Sequence, residues 1–472
     1  MTAPLWTAFD IAAATDGDVY GDFQANGVAF DSREIGPGDL FIALKGESTD
    51  GHRFLERAFA SGAAGAIVSE ACPGPHVRVA DTMAALNALG AASRARMGGK
   101  VIGVTGSVGK TGTKEALFAC LDRAMPGRVH RSVKSYNNHT GVPLSLARMP
   151  AATAVGVFEM GMNHGGELAA LTRLVRPHVA IVTAIAPAHS AFFASEAEIA
   201  DAKGEIFQGL EPGGTAIIPY DSPHRDRLIA AARPHAGRIV TFGTGHEADV
   251  HVQDVVPLDR GTLLSLSLPD AELTFTVAPP GAHWVSNAMA VIAAVWAVGG
   301  DLAAAGLAFA EMEGLPGRGQ RSRIPVGTGE HRGEALLIDE SYNANPASMA
   351  ATIKMLGEEK AERRIAILGE MRELGAGSAG YHAGLAEPLR EAGVDFALLV
   401  GSEMTALANA LEGRIDFEHV PDAGAATESI GKLIAPGDAI LIKGSNAIGL
   451  SRLVEHLRSG AVAGERTTCS TS

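Results

Sequence analysis

Short apolar runs recur along the chain, separated by stretches with helical spacing. In the middle of the chain they cover residues 101–105, 154–160, 179–185 and 215–219. Such runs lack the in–out alternation of a half-exposed strand. Alternating with helices, they predict a parallel α/β sheet covered on both faces. The pattern changes near residues 251–277. Leu264, Leu266 and Leu268 alternate with Ser265 and Ser267, then Leu273, Phe275 and Val277 alternate with Thr274 and Thr276. With Pro269-Asp270 between the two runs, this reads as an antiparallel hairpin or small sheet. A helix is expected over 286–297. The N-terminal block is mixed: a strand at 39–44 after Gly36-Pro37-Gly38, a helix at 52–61, a strand at 65–68 and an Ala-rich helix at 82–96. The last block alternates again, with strands at 335–339, 364–368, 396–400 and 439–442, a Rossmann-like pattern. No G-x-G-x-x-G follows any of these strands, so a dinucleotide is not implied.

Glycine clusters punctuate the blocks at 97–99 and 314–319, which read as hinges. The expected domains are therefore residues 1–97, small and mixed α/β; 98–316, a central parallel-sheet domain; and 317–472, Rossmann-like. The small, polar residues 461–472 are expected to be a disordered tail.

Length agrees, since 472 residues suit about three domains. Hydrophobic residues at 46% and charged residues at 19% describe a globular chain. The three cysteines, Cys72, Cys120 and Cys469, are too few and too scattered for a disulfide framework or a four-cysteine zinc site. A net charge of −14 argues against a general nucleic-acid binder. No apolar run approaches the ~18 residues of a membrane span. Met1 to Asp18 contains no Lys or Arg, unlike a signal peptide. A cytoplasmic protein is expected.

The strongest local signal is Gly106-Ser107-Val108-Gly109-Lys110-Thr111-Gly112, between a predicted strand and a predicted helix. Glycines let backbone N–H groups close around phosphate oxygens, and the helix N-terminus adds partial positive charge. Lys110 can reach the β and γ phosphates, and Thr111 can ligate Mg²⁺. The general G-x-x-x-x-G-K-[ST] pattern fails by one position, because Val104 stands where its first glycine belongs.

Thr105-Gly-Ser-Val-Gly-Lys-Thr111 resembles the ATP loop of the Mur ligases, the amide-forming enzymes of peptidoglycan precursor synthesis. The resemblance runs nearly end to end. Asp31-Ser32-Arg33 followed by Pro37-Gly38-Asp39-Leu40-Phe41 is similar to the family's UDP-sugar-binding domain. Asn137-Asn138-His139-Thr140-Gly141-Val142-Pro143 resembles its Asn-Asn-x-x-Gly-x-Pro segment. Glu159-Met160-Gly161 resembles its acidic magnesium strand, and Ala188-His189 and Ala202-Lys203-Gly204-Glu205 the next two elements. Asp339-Glu340-Ser341-Tyr342-Asn343-Ala344-Asn345-Pro346 and Leu368-Gly369-Glu370-Met371-Arg372-Glu373-Leu374-Gly375 resemble the family member that adds D-alanyl-D-alanine. After Lys443-Gly444-Ser445, the chain departs from the Arg-containing continuation of the family and reads Asn446-Ala447-Ile448-Gly449.

The resemblance implies that ATP activates the terminal carboxylate of UDP-N-acetylmuramoyl-tripeptide as an acyl phosphate, which the amine of D-alanyl-D-alanine attacks. It implies Lys110, His189 and Lys203 as catalytic residues. Thr111 and Glu159 would hold a first Mg²⁺, and His189 and a CO₂-carbamylated Lys203 a second. Asn287 and Asp339 would hold adenine and ribose, and Arg318 the ATP phosphates. Ser32 and Arg33 would contact the UDP-sugar, and Asn137, Asn138 and Thr140 its muramoyl end. Tyr342, Asn343, Asn345 and Ser348 would shape the dipeptide pocket, although Asn, Pro and Ser are also ordinary turn residues. A monomer is implied. Two other readings stay open: a sister ligase adding a single amino acid, and a nucleotide-switch module. The second lacks a guanine-reading Asn-Lys-x-Asp segment.

Overall fold

A computed structural model describes residues 3–46, 49–186, 193, 195–258, 261–279, 281–327 and 332–460. The 461–472 tail lies outside them. The chain forms two compact units. The first comprises Met1–Ile185, Ala197–Val277 and His283–Glu311; the second comprises Ala186–Glu196, Ala278–Ala282 and Met312–Ser472. The boundary expected at residue 97 therefore falls inside the first unit, and the one expected at 317 lies near the start of the long segment of the second.

In the first unit the described residues include a nine-stranded sheet. Its spatial order is Glu272–Val277, Thr262–Ser267, Val250–Pro257, Arg238–Gly243, Thr215–Pro219, Val179–Val182, Lys100–Thr105, Val155–Glu159, Val129–Arg131. The strands from Val129–Arg131 to Val250–Pro257 pair in parallel. The last two add on antiparallel, as the Leu/Ser and Phe/Thr alternation predicts. Every residue of Val155–Glu159, Val179–Val182 and Thr215–Pro219 is buried. That is why these strands read as continuous apolar runs.

Lys100–Thr105 lies between Val155–Glu159 and Val179–Val182, with Glu159 level with Val104 and Val182 level with Thr105. The chain leaves this strand towards one side of the sheet and returns on the other. Crevices for ligands form at the carboxyl ends of strands at such switch points. The helix Lys110–Ala124 follows, opened by Gly109 at φ 84°.

The N-terminal part of the same unit holds a five-stranded sheet, Asp18–Tyr20, His76–Arg78, Gly65–Val68, Asp39–Ile42, Gly27–Ala29. It is fixed to the central sheet by polar contacts between elements far apart in sequence. Trp6 Nε1 donates to the Ala147 carbonyl at 2.8 Å, and Arg96 lies 3.9 Å over the Trp6 ring. Buried Arg94, on the helix Thr82–Arg96, donates to the carbonyls of Val175 and Arg176 at 2.8 and 2.7 Å. Those are orphan carbonyls at the end of the helix Glu167–Val175, which a guanidinium suits well.

The second unit is built on a six-stranded sheet, Gln320–Val326, Gly333–Glu340, Asp438–Lys443, Arg363–Gly369, Phe396–Val400, Asp416–Val420. The first pair is antiparallel and the rest are parallel. Alternate residues feed two cores. Leu337, Ile365, Ile367, Leu398 and Ile440 pack on one face, and Ile338, Ala366, Leu368, Leu399 and Leu441 on the other. No helix among the described residues is long and apolar enough to cross a membrane.

Candidate functional site

The glycine-rich loop joins Lys100–Thr105 to Lys110–Ala124 and is held from the next strand over. Thr183 Oγ1 donates to the Val108 carbonyl at 2.6 Å, and Ser107 N donates to the Ala184 carbonyl at 2.8 Å. A Cβ on Gly109 would meet Asn287 Oδ1 at 2.7 Å, so the loop also abuts the helix Ala282–Ala297. Lys110 Nζ donates to the Gly106 carbonyl at 2.7 Å, at the mouth of the loop. Ser107 Oγ and Thr113 Oγ1 are buried and have no hydrogen-bond partner among the described residues. Buried hydroxyls are rarely left unmatched. Next to a helix N-terminus and a lysine, Ser107 Oγ fits the acceptor oxygens of a phosphate.

Glu159, 1% exposed, ends the neighbouring strand. Its Oε2 accepts the Thr111 hydroxyl at 2.9 Å and its Oε1 accepts Asn137 Nδ2 at 2.8 Å. Thr111 and Glu159 thus present hard oxygen donors beside the phosphate loop, the chemistry magnesium prefers. Lys114 Nζ lies 3.9 Å from Glu159 Oε2. Lys114 is fully buried, and sequence reasoning passed over it. One helical turn beyond Lys110, it shares a face with Lys110 and Thr111.

Lys203 is 1% exposed, on the helix Glu196–Gly204. Burial, and then the like charge of Lys110, push its ammonium well below the usual lysine range. Both causes favour the neutral, nucleophilic form of the amine. His189 lies outside the described residues.

On the N-terminal side, Ser32 is buried and Arg33 is exposed within the turn 31–34. Arg33 Nη2 pairs with Asp31 Oδ2 at 2.6 Å, and that hydrogen bond holds the Asp31 carboxyl at about 2. Asn138 Oδ1 accepts the backbone N–H groups of Thr140 and Gly141 at 3.2 and 2.9 Å, so it caps the helix Gly141–Ala147. Asn287 is 7% exposed against the phosphate loop, near Gly112 as well as Gly109.

In the second unit, Asp339 is 3% exposed at the end of Gly333–Glu340. Its Oδ2 accepts Gly317 N at 2.9 Å and its Oδ1 accepts the Ser341 hydroxyl at 2.7 Å. Arg318, beside Gly317, stacks 4.3 Å over the Tyr342 ring. Gly317, Arg318, Asp339 and Tyr342 thus form one cluster. Asn345 and Ser348 bond each other instead. Asn345 Oδ1 accepts Ser348 N at 2.8 Å, and Ser348 Oγ accepts Asn345 N at 3.0 Å, a capping box that starts the helix Pro346–Gly357. Lys443, also buried, donates to the Asn343 carbonyl at 2.8 Å and pairs with Glu340 at 3.4 Å. Burial pushes its ammonium down, and Glu340 opposes that shift in part.

A cavity of about 610 Å³ opens at the carboxyl ends of the second unit's strands, lined by Glu370, Arg372, Ser402, His419, Asp422 and Ile448 among others. Glu370 is 3% exposed, and its Oε1 accepts Glu403 N at 3.1 Å. Its Oε2 lies 2.9 Å from Arg372 Nη2, off the line of a hydrogen bond. This buried carboxylate oxygen is thus ion-paired but accepts no hydrogen bond. Both residues belong to the family-like segment Leu368–Gly375, whose sequence alone gives them no role. Ala447 and Ile448, from the segment that departs from the family pattern, also line this cavity.

A phosphate loop on a parallel sheet, with an acidic strand end beside it and a buried low-pKa lysine in the same unit, defines a P-loop nucleotide-utilising protein. The Mur ligase middle-domain model matches residues 104–295, the Mur ligase glutamate ligase domain model 326–446, and the Mur ligase family catalytic-domain model 24–93. The chain belongs to the Mur ligase family. It is 34% identical to the UDP-N-acetylmuramoyl-tripeptide--D-alanyl-D-alanine ligase of Escherichia coli K12, over 94% of this chain and 96% of that protein. The Bacillus subtilis protein of the same name is 33% identical, over 92% and 93%. A crystal structure of MurF from Acinetobacter baumannii superposes with a TM-score of 0.84 at 30% identity, covering 96% of this chain and 99% of that one. A Thermotoga maritima MurF solved with ADP shares the fold, at a TM-score of 0.74 and 24% identity over 92% and 97%.

Proposed function

We propose that the chain joins D-alanyl-D-alanine to UDP-N-acetylmuramoyl-tripeptide at the expense of ATP, making the pentapeptide precursor of peptidoglycan, ADP and phosphate. The observation that carries this reading is the pair of sites: a phosphate loop with its acidic strand end in one unit, and a cavity lined by a buried carboxylate and its arginine in the other. The end-to-end likeness to ligases of that name supports it.

The chemistry follows from charge. A carboxylate and an amine do not condense at neutral pH. The γ-phosphoryl group moves to a carboxylate oxygen of the tripeptide, and ADP leaves. The acceptor amine then attacks the acyl carbon, phosphate departs and the nitrogen loses a proton. Two anions must meet in the first step, so cations and N–H dipoles have to neutralise them. The Gly106–Gly112 backbone and Lys110 hold the phosphates, and Ser107 Oγ supplies a further donor. Thr111 and Glu159 would hold Mg²⁺, which when bound neutralises phosphate charge. Lys203, whose amine burial biases towards the neutral form, would take up CO₂ with loss of a proton; the carbamate oxygens, with His189, would serve a second ion. Asn287, packed against the phosphate loop, holds the adenine side of the nucleotide. Ser32 and Arg33 face the UDP-sugar, with Asn137, Asn138 and Thr140 towards the muramoyl end. Tyr342 and Asn343 border the dipeptide, while Asn345 and Ser348 act by starting the helix beneath. In the cavity, the ion pair of Glu370 and Arg372 would open to meet the dipeptide's ammonium and carboxylate.

The test is acceptor-dependent phosphate release with ATP, Mg²⁺ and the UDP-tripeptide. Release only with D-alanyl-D-alanine, with a pentapeptide product by mass, is expected. Release only with a single amino acid on a shorter precursor moves the chain to a sister ligase. Steady release with no acceptor overturns the ligase reading.

A further inference from the structure

The segment 132–138, between Val129–Arg131 and Gly141–Ala147, touches Glu159 at both ends and the N-terminal turn in its middle. At one end, Ser132 Oγ accepts the Glu159 N–H at 3.3 Å. At the other, Asn137 Nδ2 donates to Glu159 Oε1 at 2.8 Å, and the Asn137 carbonyl accepts Gly161 N at 2.7 Å. In the middle, Lys134 Nζ and the Tyr136 hydroxyl reach one carboxylate, Glu34, at 2.5 and 2.9 Å. Glu34 closes the turn that carries Ser32 and Arg33, its N–H bonded to the Asp31 carbonyl at 2.9 Å. The Lys134 carbonyl accepts Lys114 Nζ at 2.5 Å, and that ammonium faces Glu159 Oε2. Lys134 is in the left-handed region, at φ 53°. A non-glycine residue stays there only where its surroundings hold it, and here both its side chain and its carbonyl are held.

We propose that segment 132–138 is a strap coupling the sugar-nucleotide turn to the magnesium carboxylate, with Glu34, Lys134 and Lys114 as its positioning residues. The proposal rests on the reading of Ser32 and Arg33 as sugar-nucleotide contacts and of Glu159 as a magnesium ligand. A ligand that orders the turn fixes the Glu34 carboxylate. Glu34 fixes Lys134 and Tyr136, and these fix the carbonyl that places Lys114 and the amide that places Glu159. Coupling of this kind is reciprocal, so each ligand strengthens the binding of the other by the same factor.

The experiment is titration calorimetry on the full chain. Mg²⁺·ADP is titrated with and without saturating UDP-N-acetylmuramoyl-tripeptide, and ADP alone is titrated without metal. In the unaltered protein the donor tightens Mg²⁺·ADP by about fivefold or more, the lower end of ordinary coupling. Glu34→Gln brings that factor close to one, yet keeps metal-free ADP affinity and the melting temperature. Tyr136→Phe, which leaves Lys134 in place, falls between the two and stands in if Glu34→Gln fails to fold. A coupling factor unchanged in both variants, or absent from the unaltered protein, overturns the strap while the site reading stands. A donor that does not bind overturns both.

Discussion

Gly109 and Gly166 make a matched pair that isolates what the phosphate loop demands of its glycine. Each opens a helix, with φ of 84° and 88° and ψ of −10° and −23°. They differ in their surroundings: a Cβ on Gly109 meets Asn287 Oδ1 at 2.7 Å, and one on Gly166 meets nothing within 4 Å. The left-handed backbone costs an alanine about 1–2 kcal/mol. Lower entropy of the unfolded chain returns about 0.4–1 kcal/mol of that. Gly166→Ala should therefore cost about 1 kcal/mol. Gly109→Ala adds the displacement of a buried amide, about 1–3 kcal/mol in a packed site, for a total of about 2–4 kcal/mol. The displaced Asn287 also loosens the loop, so ADP affinity falls about tenfold or more, equivalent to about 1.4 kcal/mol. Denaturant unfolding gives the stabilities and calorimetry the ADP affinity. Asn287→Ala in the Gly109→Ala background should recover part of the stability loss, a non-additive pair. Equal losses in the two glycine variants, or unchanged ADP affinity in Gly109→Ala, would refute the reasoning.

Glu159→Gln keeps hydrogen-bond capacity toward Thr111 and Asn137 but removes the charge. It should lower kcat about 100-fold or more and raise the magnesium needed for half-maximal phosphate release; unaltered magnesium dependence counts against the metal role. Lys203 titrates below its unfolded value, so between its folded pKa and about 10.5 the unfolded chain holds a proton that the folded chain lacks. Stability from this group therefore rises with pH through that window, and Lys203→Met should flatten the slope in pH-dependent unfolding while abolishing activity. A variant with wild-type activity, or one whose inactivity bicarbonate repairs, defeats the carbamate role. Glu370→Gln should raise KM for D-alanyl-D-alanine about tenfold or more, the loss of one charge-assisted hydrogen bond, with KM for ATP unchanged; a shift in ATP KM instead would place the acceptor elsewhere.

The architecture was legible wherever strands are buried on both faces. The expected strands at 65–68, 215–219 and 396–400 and the helix at 82–96 coincide with Gly65–Val68, Thr215–Pro219, Phe396–Val400 and Thr82–Arg96. The hairpin was legible for the opposite reason, its strict alternation. Several strands at sheet edges escaped, although the edge strand Glu272–Val277 did not, and the interior strand Arg238–Gly243 escaped as well. Val129–Arg131, Gln320–Val326 and Asp416–Val420 each border a sheet on one side only. The last reads Asp-Phe-Glu-His-Val, with just its final residue buried. An edge strand is held by its neighbour's backbone, which leaves no mark in its own hydropathy. The helix expected at 52–61 opens instead as a tight turn at Gly51–Phe54 before Leu55–Ala60, because Asp50 caps it through His52 N.

The site divides along a similar line, between chemistry that is local in sequence and chemistry that folding assembles. The phosphate loop is a single turn, so its glycines, Lys110 and Thr111 announce themselves in order. Lys114 could have been found by its helical spacing from Lys110, but a lysine within a helix is ordinarily solvated, and only its burial marks it out. Glu34 and Lys134 stand a hundred residues apart in sequence, and nothing in either neighbourhood points to the other. Asn345 and Ser348 show the converse. Residue types that suit a polar pocket also suit a helix start, and here the backbone claims both side chains. The second unit's cavity gathers residues from 370 to 448 off four strand ends. Family-like spacing could place Glu370 in a motif, but its burial and its ion pair with Arg372 at the cavity wall exist only in the fold.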